Sequence, residues 1–171
     1  LLAFAMAKSY GVSNDKICAA LASFKGVRRR FSFQIREENR VYIDDYAHHP
    51  TEINAVHQAV RELYPGKKII AAFQPHLFSR TKDFADGFAE SLAQFDEILL
   101  LEIYPARELP MEGINSSWLL TKINNPNKKL VNKDQLISTF KNSDASVFIT
   151  IGAGDIGEMV KDIKNALYEK D

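Results

Sequence analysis

Apolar residues follow two alternating patterns along residues 31–171. Short apolar runs bounded by polar turns predict buried strands, and apolar residues spaced three or four apart predict amphipathic helices. The predicted strands cover residues 31–35, 41–43, 69–73, 98–103, 130–131 and 147–151. The predicted helices cover residues 53–63, 84–92, 118–123, 136–140 and 156–167. Strands and helices therefore alternate over most of the chain.

The first two predicted strands differ from the later ones. Phe31, Phe33 and Ile35 alternate with polar residues, and the polar turn 37–39 leads directly into the next strand, so we expect an antiparallel hairpin. The later strands are separated by helices, which favours right-handed crossovers and a mainly parallel sheet covered on both faces. We therefore predict an α/β fold, a Rossmann-like three-layer sandwich whose mostly parallel sheet gains one antiparallel strand from the N-terminal hairpin.

Residues 1–23 show no strand pattern and are predicted to be helical, with a break at residues 10–11. Residues 25–30 contain a glycine and three consecutive arginines and are predicted to be a linker in which Arg28 and Arg29 are solvated. The chain begins without methionine inside the helical segment. We therefore expect it to be a piece of a longer protein.

Composition narrows the possible functions. The 22 basic and 22 acidic residues among 171 balance, so no global charge points to nucleic acid or to a membrane surface. No apolar run approaches the roughly 20 residues that a membrane span requires. The single cysteine, Cys18, excludes an internal disulfide and fits a reducing, cytoplasmic compartment. The four histidines match no zinc-binding spacing, so we expect no metal site made by this chain alone.

The densest group of chemistry-bearing residues follows the strand at 41–43. Asp44 and Asp45 precede His48, His49 and Pro50, and Pro50 suits the first turn of a helix. The free N–H groups of a helix start can receive an anion, and carboxylates beside it can hold ribose hydroxyls or hydrated magnesium. Ligands of open α/β sheets bind at the carboxyl ends of the strands, where these residues are predicted to lie.

Polar residues also follow the next two predicted strands. Arg80 lies near a predicted helix start, a position that the helix dipole disfavours for a cation, so an anionic partner is expected there. Farther along, Arg107 and Glu108 follow a rigid turn, and the two residues either pair with each other or take part in binding.

Residues 152–157 follow the last predicted strand and fit the glycine pattern of a dinucleotide-binding turn. That pattern requires an acidic residue about 20 positions later, at the end of a second strand. The sequence instead stops at Asp171, within the last helical segment and before any second strand. The segment is therefore better interpreted as a tight turn at a ligand-binding edge.

Together, these motifs resemble the C-terminal domain of the Mur ligases, which use ATP to add amino acids to the peptidoglycan precursor. The resemblance runs from about Phe24 to the end, and its motifs occupy residues 44–52, 73–76 with 79–81, 104–106 and 152–155. Within the family, they look most like the branch whose substrates are L-alanine and UDP-N-acetylmuramate. The resemblance implies carbon–nitrogen ligase chemistry: ATP phosphorylates a carboxylate, and the amine of the amino acid attacks the acyl phosphate.

The resemblance also implies a nucleotide-binding role for three residues. Asp45 matches the family's aspartate that holds the ATP ribose, with Asp44 beside it. Arg30 matches the arginine between domains that reaches the ATP phosphates.

Three further residues match positions near the amino-acid end of the substrate. These are His48, His49 and Arg80, and Arg80 would neutralise the alanine carboxylate. From the sequence, His48 and His49 are interchangeable in this role. Some relatives carry an arginine where this chain has Leu77, so a second cationic contact is expected to be absent or supplied elsewhere.

The sequence contains no G-x-x-x-x-G-K-[ST] phosphate loop. In the resembled ligases that loop and the magnesium ligands lie in a central domain, and the uridine nucleotide binds an N-terminal domain. We therefore expect residues 1–23 to be a helical remnant of the central ATPase domain and residues 24–171 to be the C-terminal domain. Partners would include those two domains, and the fragment alone is expected to be inactive.

Three alternatives remain open from the sequence. A murein tripeptide ligase shares the fold and a similar motif at residues 44–50. An NAD-binding oxidoreductase would bind nicotinamide at residues 152–157. A nucleotide-sensing module would bind ATP without any partner domain.

Overall fold

Within residues 1–24 and 26–169, which the computed structural model describes, six strands form one sheet. The strands are β1 (Ser32–Arg36), β2 (Val41–Asp45), β3 (Ile69–Phe73), β4 (Glu97–Leu100), β5 (Lys128–Leu130) and β6 (Val147–Ile151). Their order in the sheet is β1-β2-β6-β3-β4-β5. β1 is antiparallel to β2, and the other neighbouring pairs are parallel. The predicted α/β fold with one antiparallel strand is confirmed.

Helices precede the sheet and connect its strands. They are α1 (Leu2–Ser9), α2 (Asn14–Ser23), α3 (Pro50–Leu63), α4 (Phe78–Asp83), α5 (Ala85–Leu92), α6 (Ser116–Lys122), α7 (Lys133–Asn142) and α8 (Val160–Tyr168), with a 3₁₀ helix at Asp155–Met159. The helical prediction for residues 1–23 is confirmed. The strand predicted at 98–103 ends at Leu100, and Phe84 separates two helices instead of opening one. In the predicted linker, Lys25 lies outside the described residues, as do Lys170 and Asp171 at the chain end.

Local sequence explains where the helices begin. α3 starts at Pro50, which needs no hydrogen-bond acceptor for its nitrogen, and the His49 side chain accepts from the N–H of Thr51. At the start of α7, Asn132 and Gln135 form a reciprocal capping box. These caps satisfy N–H groups that the first helical turn leaves without an intrahelical partner.

The sheet separates two apolar cores, because successive side chains of a strand point to opposite faces. Phe73 packs on one face with residues of α3, α5 and α6, and Phe148 packs on the other with residues of α7 and α8. All five residues of β2, β3 and β6 are buried, as expected for parallel strands covered on both sides. No helix in the described part of the chain is long and apolar enough to cross a membrane.

The carboxyl ends of β2, β6 and β3 lie side by side in the sheet. The loops that leave these ends carry residues 46–49, 74–77 and 152–154. The segment 26–31, which precedes β1, reaches the same edge through hydrogen bonds between Tyr46 and Arg29 and between Phe31 and Asp45. The parallel topology therefore brings together motifs that lie far apart in sequence.

Candidate functional site

Asp45 is the last residue of β2, and its carboxylate is engaged by two backbone groups. Oδ2 accepts the N–H of Phe31 at 2.6 Å, and Oδ1 accepts the N–H of Ala47 at 2.7 Å. Asp45 is only 6% exposed. Each carboxylate oxygen has a further lone pair. The residue therefore joins the segment before β1 to the end of β2 and can still accept a hydrogen bond from a hydroxyl that reaches it.

Asp44 belongs to a chain of buried polar side chains. Its Oδ1 accepts the hydroxyl of Thr150 at 2.9 Å, and the Thr150 hydroxyl lies 3.0 Å from the Tyr42 hydroxyl. Its Oδ2 accepts the Nε–H of Arg29 at 3.1 Å. Burial raises the pKa of Asp44, and the positive charge of Arg29 opposes this rise. Asp44 is thus committed to contacts within the chain.

The Arg29 side chain is only 25% exposed and is bonded within the chain, which corrects the expectation that it is solvated. Besides Asp44, its guanidinium donates to the carbonyl oxygen of Gly152 at 2.6 Å and lies 5.1 Å from the ring centre of Tyr46. Arg28 is exposed, as predicted. A charge run usually faces water, but here a buried carboxylate needs a cationic partner and draws in the middle arginine.

Arg30 remains at the surface of the site. Its guanidinium lies 3.8 Å from the Glu52 carboxylate and 5.7 Å from the ring centre of Tyr46. The side chain is 54% exposed, and its ion pair with Glu52 is long. Arg30 therefore keeps donors available to an anion from outside the chain.

The two neighbouring histidines point to different surroundings. His48 donates from Nδ1 to the carbonyl oxygen of Tyr46 at 2.9 Å, and its ring centre lies 6.3 Å from that of His76. The ring of His49 packs edge-on against Phe84 at 4.6 Å, and its Nδ1 caps α3. The structure thus groups His48, but not His49, with the residues around His76.

Glu52 fixes the backbone of this turn. Its carboxylate accepts the N–H of His48 at 2.8 Å. Burial raises the pKa of Glu52, but the hydrogen bond from His48 and the charges of His48 and Arg30 outweigh it, so the pKa is lowered. The first turn of α3 therefore carries an ionised carboxylate next to Arg30.

His76 is a site residue that the sequence did not single out. Its ring stacks on Tyr104 with centres 5.6 Å apart, and its Nδ1 is buried without a hydrogen-bond partner among the described residues. Burial, and next the charge of Arg80, lower the pKa of His76. In the sequence, the signal that could have identified His76 as a site residue is its place in the same polar segment as Arg80. A neutral ring with an unpartnered nitrogen suits binding of a polar ligand.

Arg80 lies on α4, half-buried beside His76. Its guanidinium makes no hydrogen bond or ion pair with the residues that the structure describes, although its charge acts on His76 and Glu108. Glu108 accepts both the backbone N–H and the hydroxyl of Ser79, so it caps α4 instead of pairing with the exposed Arg107. Arg80 is thus a cation without a committed partner at the sheet edge.

Left-handed backbone conformations are concentrated around this edge. Four non-glycine residues of the described chain have positive φ, namely Arg29, Phe31, Leu77 and Ala106. This conformation costs an L-residue about 1–2 kcal/mol, so surrounding contacts must hold it. Leu77 donates its N–H to the carbonyl oxygen of Tyr104. The loops of the site are therefore held in defined, strained conformations.

The chain's own side chains explain the glycines at 152–157. A Cβ at Gly157 would overlap the guanidinium of Arg29, and a Cβ at Gly154 would lie 2.7 Å from Cβ of Tyr104. The helix that follows is a 3₁₀ helix at Asp155–Met159. These contacts favour interpreting the segment as a tight turn and not as a dinucleotide-binding motif.

The donor set at this edge does not fit a bound metal ion. The described residues contain no group of three or more His, Cys, Asp or Glu that could hold one. The two adjacent aspartates have their oxygens engaged, Asp44 by Arg29 and Thr150 and Asp45 by backbone N–H groups. Neither carboxylate is preorganised for a cation.

Comparison with known families identifies the family of the chain. A sequence model of the Mur ligase, glutamate ligase domain matches residues 29–154. The chain belongs to this family. The matched segment contains every residue that the sequence predicted to bind nucleotide or substrate, and the resemblance inferred from the motifs is confirmed.

Relatives of this Mur ligase domain include two enzymes called UDP-N-acetylmuramate–L-alanine ligase. The Flavobacterium psychrophilum protein is 72% identical over 99% of the chain, and the Porphyromonas gingivalis protein is 48% identical over 96%. The chain spans 38% and 36% of the lengths of these two relatives. It therefore corresponds to about a third of such an enzyme.

Solved structures agree with the fold. The UDP-N-acetylmuramate–alanine ligase of Thermotoga maritima superimposes with a TM-score of 0.68 at 28% identity, covering 97% of the chain and 35% of that protein. The murein peptide ligase of Psychrobacter arcticus gives a TM-score of 0.67 at 20% identity, covering 95% of the chain and 35% of that protein. The second likeness concerns the fold alone.

Proposed function

We propose that this chain is the C-terminal domain of an ATP-dependent ligase that joins L-alanine to UDP-N-acetylmuramate during synthesis of the peptidoglycan precursor. Residues 24–171 form the domain, and residues 1–23 are a helical remnant of the central ATPase domain. The enzyme acts in the cytoplasm. The observation that carries the proposal is the meeting of Asp45, Arg30, His48 and Arg80 at one edge of a Mur ligase sheet.

On the nucleotide side, Asp45 accepts a ribose hydroxyl of ATP, and Asp44 holds the end of β2 in place beside it. Two backbone N–H groups already hold the Asp45 carboxylate at 2.6 and 2.7 Å, so it needs no rearrangement to bind. Arg30, which is 54% exposed, contacts the phosphates. ATP supplies the phosphoryl group that activates the carboxylate of the sugar substrate.

On the amino-acid side, Arg80 holds the carboxylate of L-alanine. The lack of a committed partner for its guanidinium among the described residues supports this role. His48 and the neutral His76 lie close to one another, with ring centres 6.3 Å apart, and line the path of the alanine amine. The sequence also predicts His49 to belong to this group; its Nδ1 caps α3, so any contact with substrate is made through its Nε2.

The domain contributes orientation, not chemistry of its own. Correct placement of two reactants can supply about 7–11 kcal/mol of the barrier reduction in such reactions. Closure over the reactants also excludes water from the acyl phosphate. The Mg²⁺ ligands and the phosphate loop belong mainly to the central domain, because Asp44 and Asp45, the adjacent carboxylates at this edge, already accept hydrogen bonds from within the chain. The isolated chain is therefore inactive.

The decisive experiment measures amino-acid-dependent ADP release by the complete protein that contains this sequence. With UDP-N-acetylmuramate present, L-alanine should stimulate ADP release, and the product should contain one alanine per muramate. Release that depends on a tripeptide instead of alanine would identify a murein tripeptide ligase. If neither alanine nor a tripeptide stimulates ADP release, the ligase proposal is overturned.

Two cheaper observations bear on the same question. A Gly-Lys-Thr or Gly-Lys-Ser phosphate loop encoded upstream of Leu1 supports the ligase, and its absence contradicts it. The isolated chain should show no ligase activity and should not bind ATP tightly. Tight ATP binding by the chain alone would favour a nucleotide-sensing module.

A further inference from the structure

We propose that Arg29 is a positioning residue for the nucleotide: it fastens the segment before β1 to the loop after β6 and so holds Arg30 and Asp45 in a fixed relative position. The inference rests on the proposed function, because that function assigns nucleotide contacts to Arg30 and Asp45. Residues 26–31 are called the anchor segment below, and residues 152–157 the glycine loop.

One guanidinium connects three parts of the chain. Arg29 donates from Nε to Asp44 at the end of β2 at 3.1 Å and from Nη2 to the carbonyl oxygen of Gly152 in the glycine loop at 2.6 Å. Its Nη1 lies 3.5 Å from the carbonyl oxygen of Gly154. Such a forked, multidirectional set of bonds requires arginine, since a lysine ammonium has no planar fork.

Two backbone hydrogen bonds flank Arg30. The N–H of Tyr46 donates to the carbonyl oxygen of Arg29 at 2.8 Å, and the N–H of Phe31 donates to Asp45 at 2.6 Å. The residues on both sides of Arg30 are therefore tied to the end of β2. Because Asp45 itself makes one of these bonds, the predicted phosphate and ribose contacts move as one unit.

The anchor segment would not keep this shape unaided. Arg29 and Phe31 have φ of 56° and 47°, in the left-handed region that L-residues disfavour. The contacts of the Arg29 side chain hold the first of them, and the Asp45 carboxylate holds the second. Loss of the guanidinium should let the segment relax toward extended backbone and carry Arg30 away from Asp45.

The glycine loop is shaped to receive this side chain. A Cβ at Gly157 would overlap the guanidinium of Arg29, although the φ of Gly157 lies outside the left-handed region. Gly157 thus leaves the space that the Arg29 guanidinium occupies, and its backbone conformation does not demand a glycine. A methyl group added at Gly157 would therefore displace the Arg29 guanidinium, which is the movable end of a long side chain. This substitution disturbs Arg29 without replacing it.

The first test uses Arg29→Lys and Arg29→Gln in the complete protein, with steady-state kinetics for each substrate. The KM for ATP should rise roughly tenfold or more in Arg29→Gln, the size expected if the displaced Arg30 or Asp45 loses one charge-assisted hydrogen bond to ATP. Arg29→Lys should show a smaller rise, because its ammonium reaches only some of the same acceptors. The KM for alanine should stay within about twofold of the parent value in both variants.

Gly157→Ala displaces the guanidinium while leaving Arg29 and Asp44 chemically intact. It should reproduce the rise in the KM for ATP even if Arg29→Gln fails to fold. Arg28→Gln is the matched control, because Arg28 is the exposed neighbour in the same arginine run. It should leave both KM values unchanged.

Hydrogen–deuterium exchange supplies a readout independent of activity. The amides of Phe31 and Tyr46 should exchange faster in the Arg29 and Gly157 variants and at the parent rate in Arg28→Gln. Faster exchange with an unchanged KM for ATP would make Arg29 a merely structural residue and would overturn the proposal. Unchanged exchange of these two amides in the variants would overturn it as well. Failure of the proposed function is distinguishable, because it would already appear in the parent protein as a lack of alanine-dependent ADP release.

Discussion

The carboxylate of Asp44 accepts a hydrogen bond from the hydroxyl of Thr150 at 2.9 Å, between residues that are direct partners in the paired strands β2 and β6. Both side chains are buried. The Thr150 hydroxyl also lies 3.0 Å from the hydroxyl of Tyr42. The acidic end of the site is therefore built into the centre of the sheet and does not depend on a mobile loop.

We predict that Thr150→Val lowers the free energy of unfolding by about 2 kcal/mol or more, because it leaves the Asp44 and Tyr42 oxygens without a buried hydrogen-bond partner. Thr150→Ser keeps the hydroxyl and removes one methyl group, so its loss should be about 1 kcal/mol. Urea denaturation of both variants measures the difference. Equal stabilities would show that the hydroxyl contributes nothing to the fold.

A second prediction concerns Asp45. Asp45→Ala should raise the KM for ATP by roughly tenfold or more, because it removes the acceptor assigned to the ribose. Asp45→Asn keeps one acceptor oxygen for the N–H of Phe31 or of Ala47 and should give an intermediate value. The KM for alanine is the internal control in the same assay. Parent kinetics in Asp45→Ala would refute the nucleotide assignment.

A third prediction concerns the titration of His76. Burial, and next the charge of Arg80, lower its pKa from the ordinary value of 6.5, so the ring is neutral at pH 7 and gains a proton only under more acidic conditions. Arg80→Met removes the second cause, and the pKa of His76 should therefore rise. The pH dependence of the His76 ring-proton chemical shifts measures this by NMR.

His57 offers a reciprocal control for that experiment. Burial, and next the charge of Arg61, lower the pKa of His57, which lies on α3 away from the site. Arg61→Met should raise the pKa of His57 and leave that of His76 unchanged, whereas Arg80→Met should do the reverse. Equal responses of both histidines to either variant would mean that the shifts arise from global changes and not from the neighbouring arginine.

Much of the fold follows from the sequence because its signals are local. The apolar run at Val147–Ile151 and the proline at the start of α3 each predict an element without reference to distant residues. The predicted strand 98–103 is too long because Leu101 and Ile103 continue the apolar pattern after the last sheet partner, Leu100. Pairing, which is a tertiary property, ends the strand there.

The site was less predictable because its decisive contacts join distant residues. Nothing near Arg29 in the sequence shows that the carbonyl oxygen of Gly152 will accept its hydrogen bond. The glycine pattern at 152–157 was a signal of close approach, but it does not say which side chain approaches. Likewise, the sequence suggests Arg107 as a partner for Glu108, whereas the partner in the structure is Ser79, which becomes close only through the β3–β4 pairing.

The last prediction concerns Arg80, whose side chain can be changed at little cost to the fold. Its guanidinium makes no hydrogen bond or ion pair within the described residues, so Arg80→Ala should leave the melting temperature nearly unchanged. The KM for alanine should nevertheless rise by roughly tenfold or more, because the alanine carboxylate would lose a charged partner. Arg80→Lys should recover only part of this loss, since an ammonium does not bind a carboxylate in a bidentate manner.

Lys82→Ala is the matched control, because Lys82 is an exposed cation on the same helix, α4. It should keep the parent KM for alanine, and both variants should keep the parent KM for ATP. A rise in the KM for ATP in Arg80→Ala would place Arg80 on the nucleotide side of the site. Parent kinetics for both substrates would remove Arg80 from the site, and the alanine carboxylate would then need a cation from another domain.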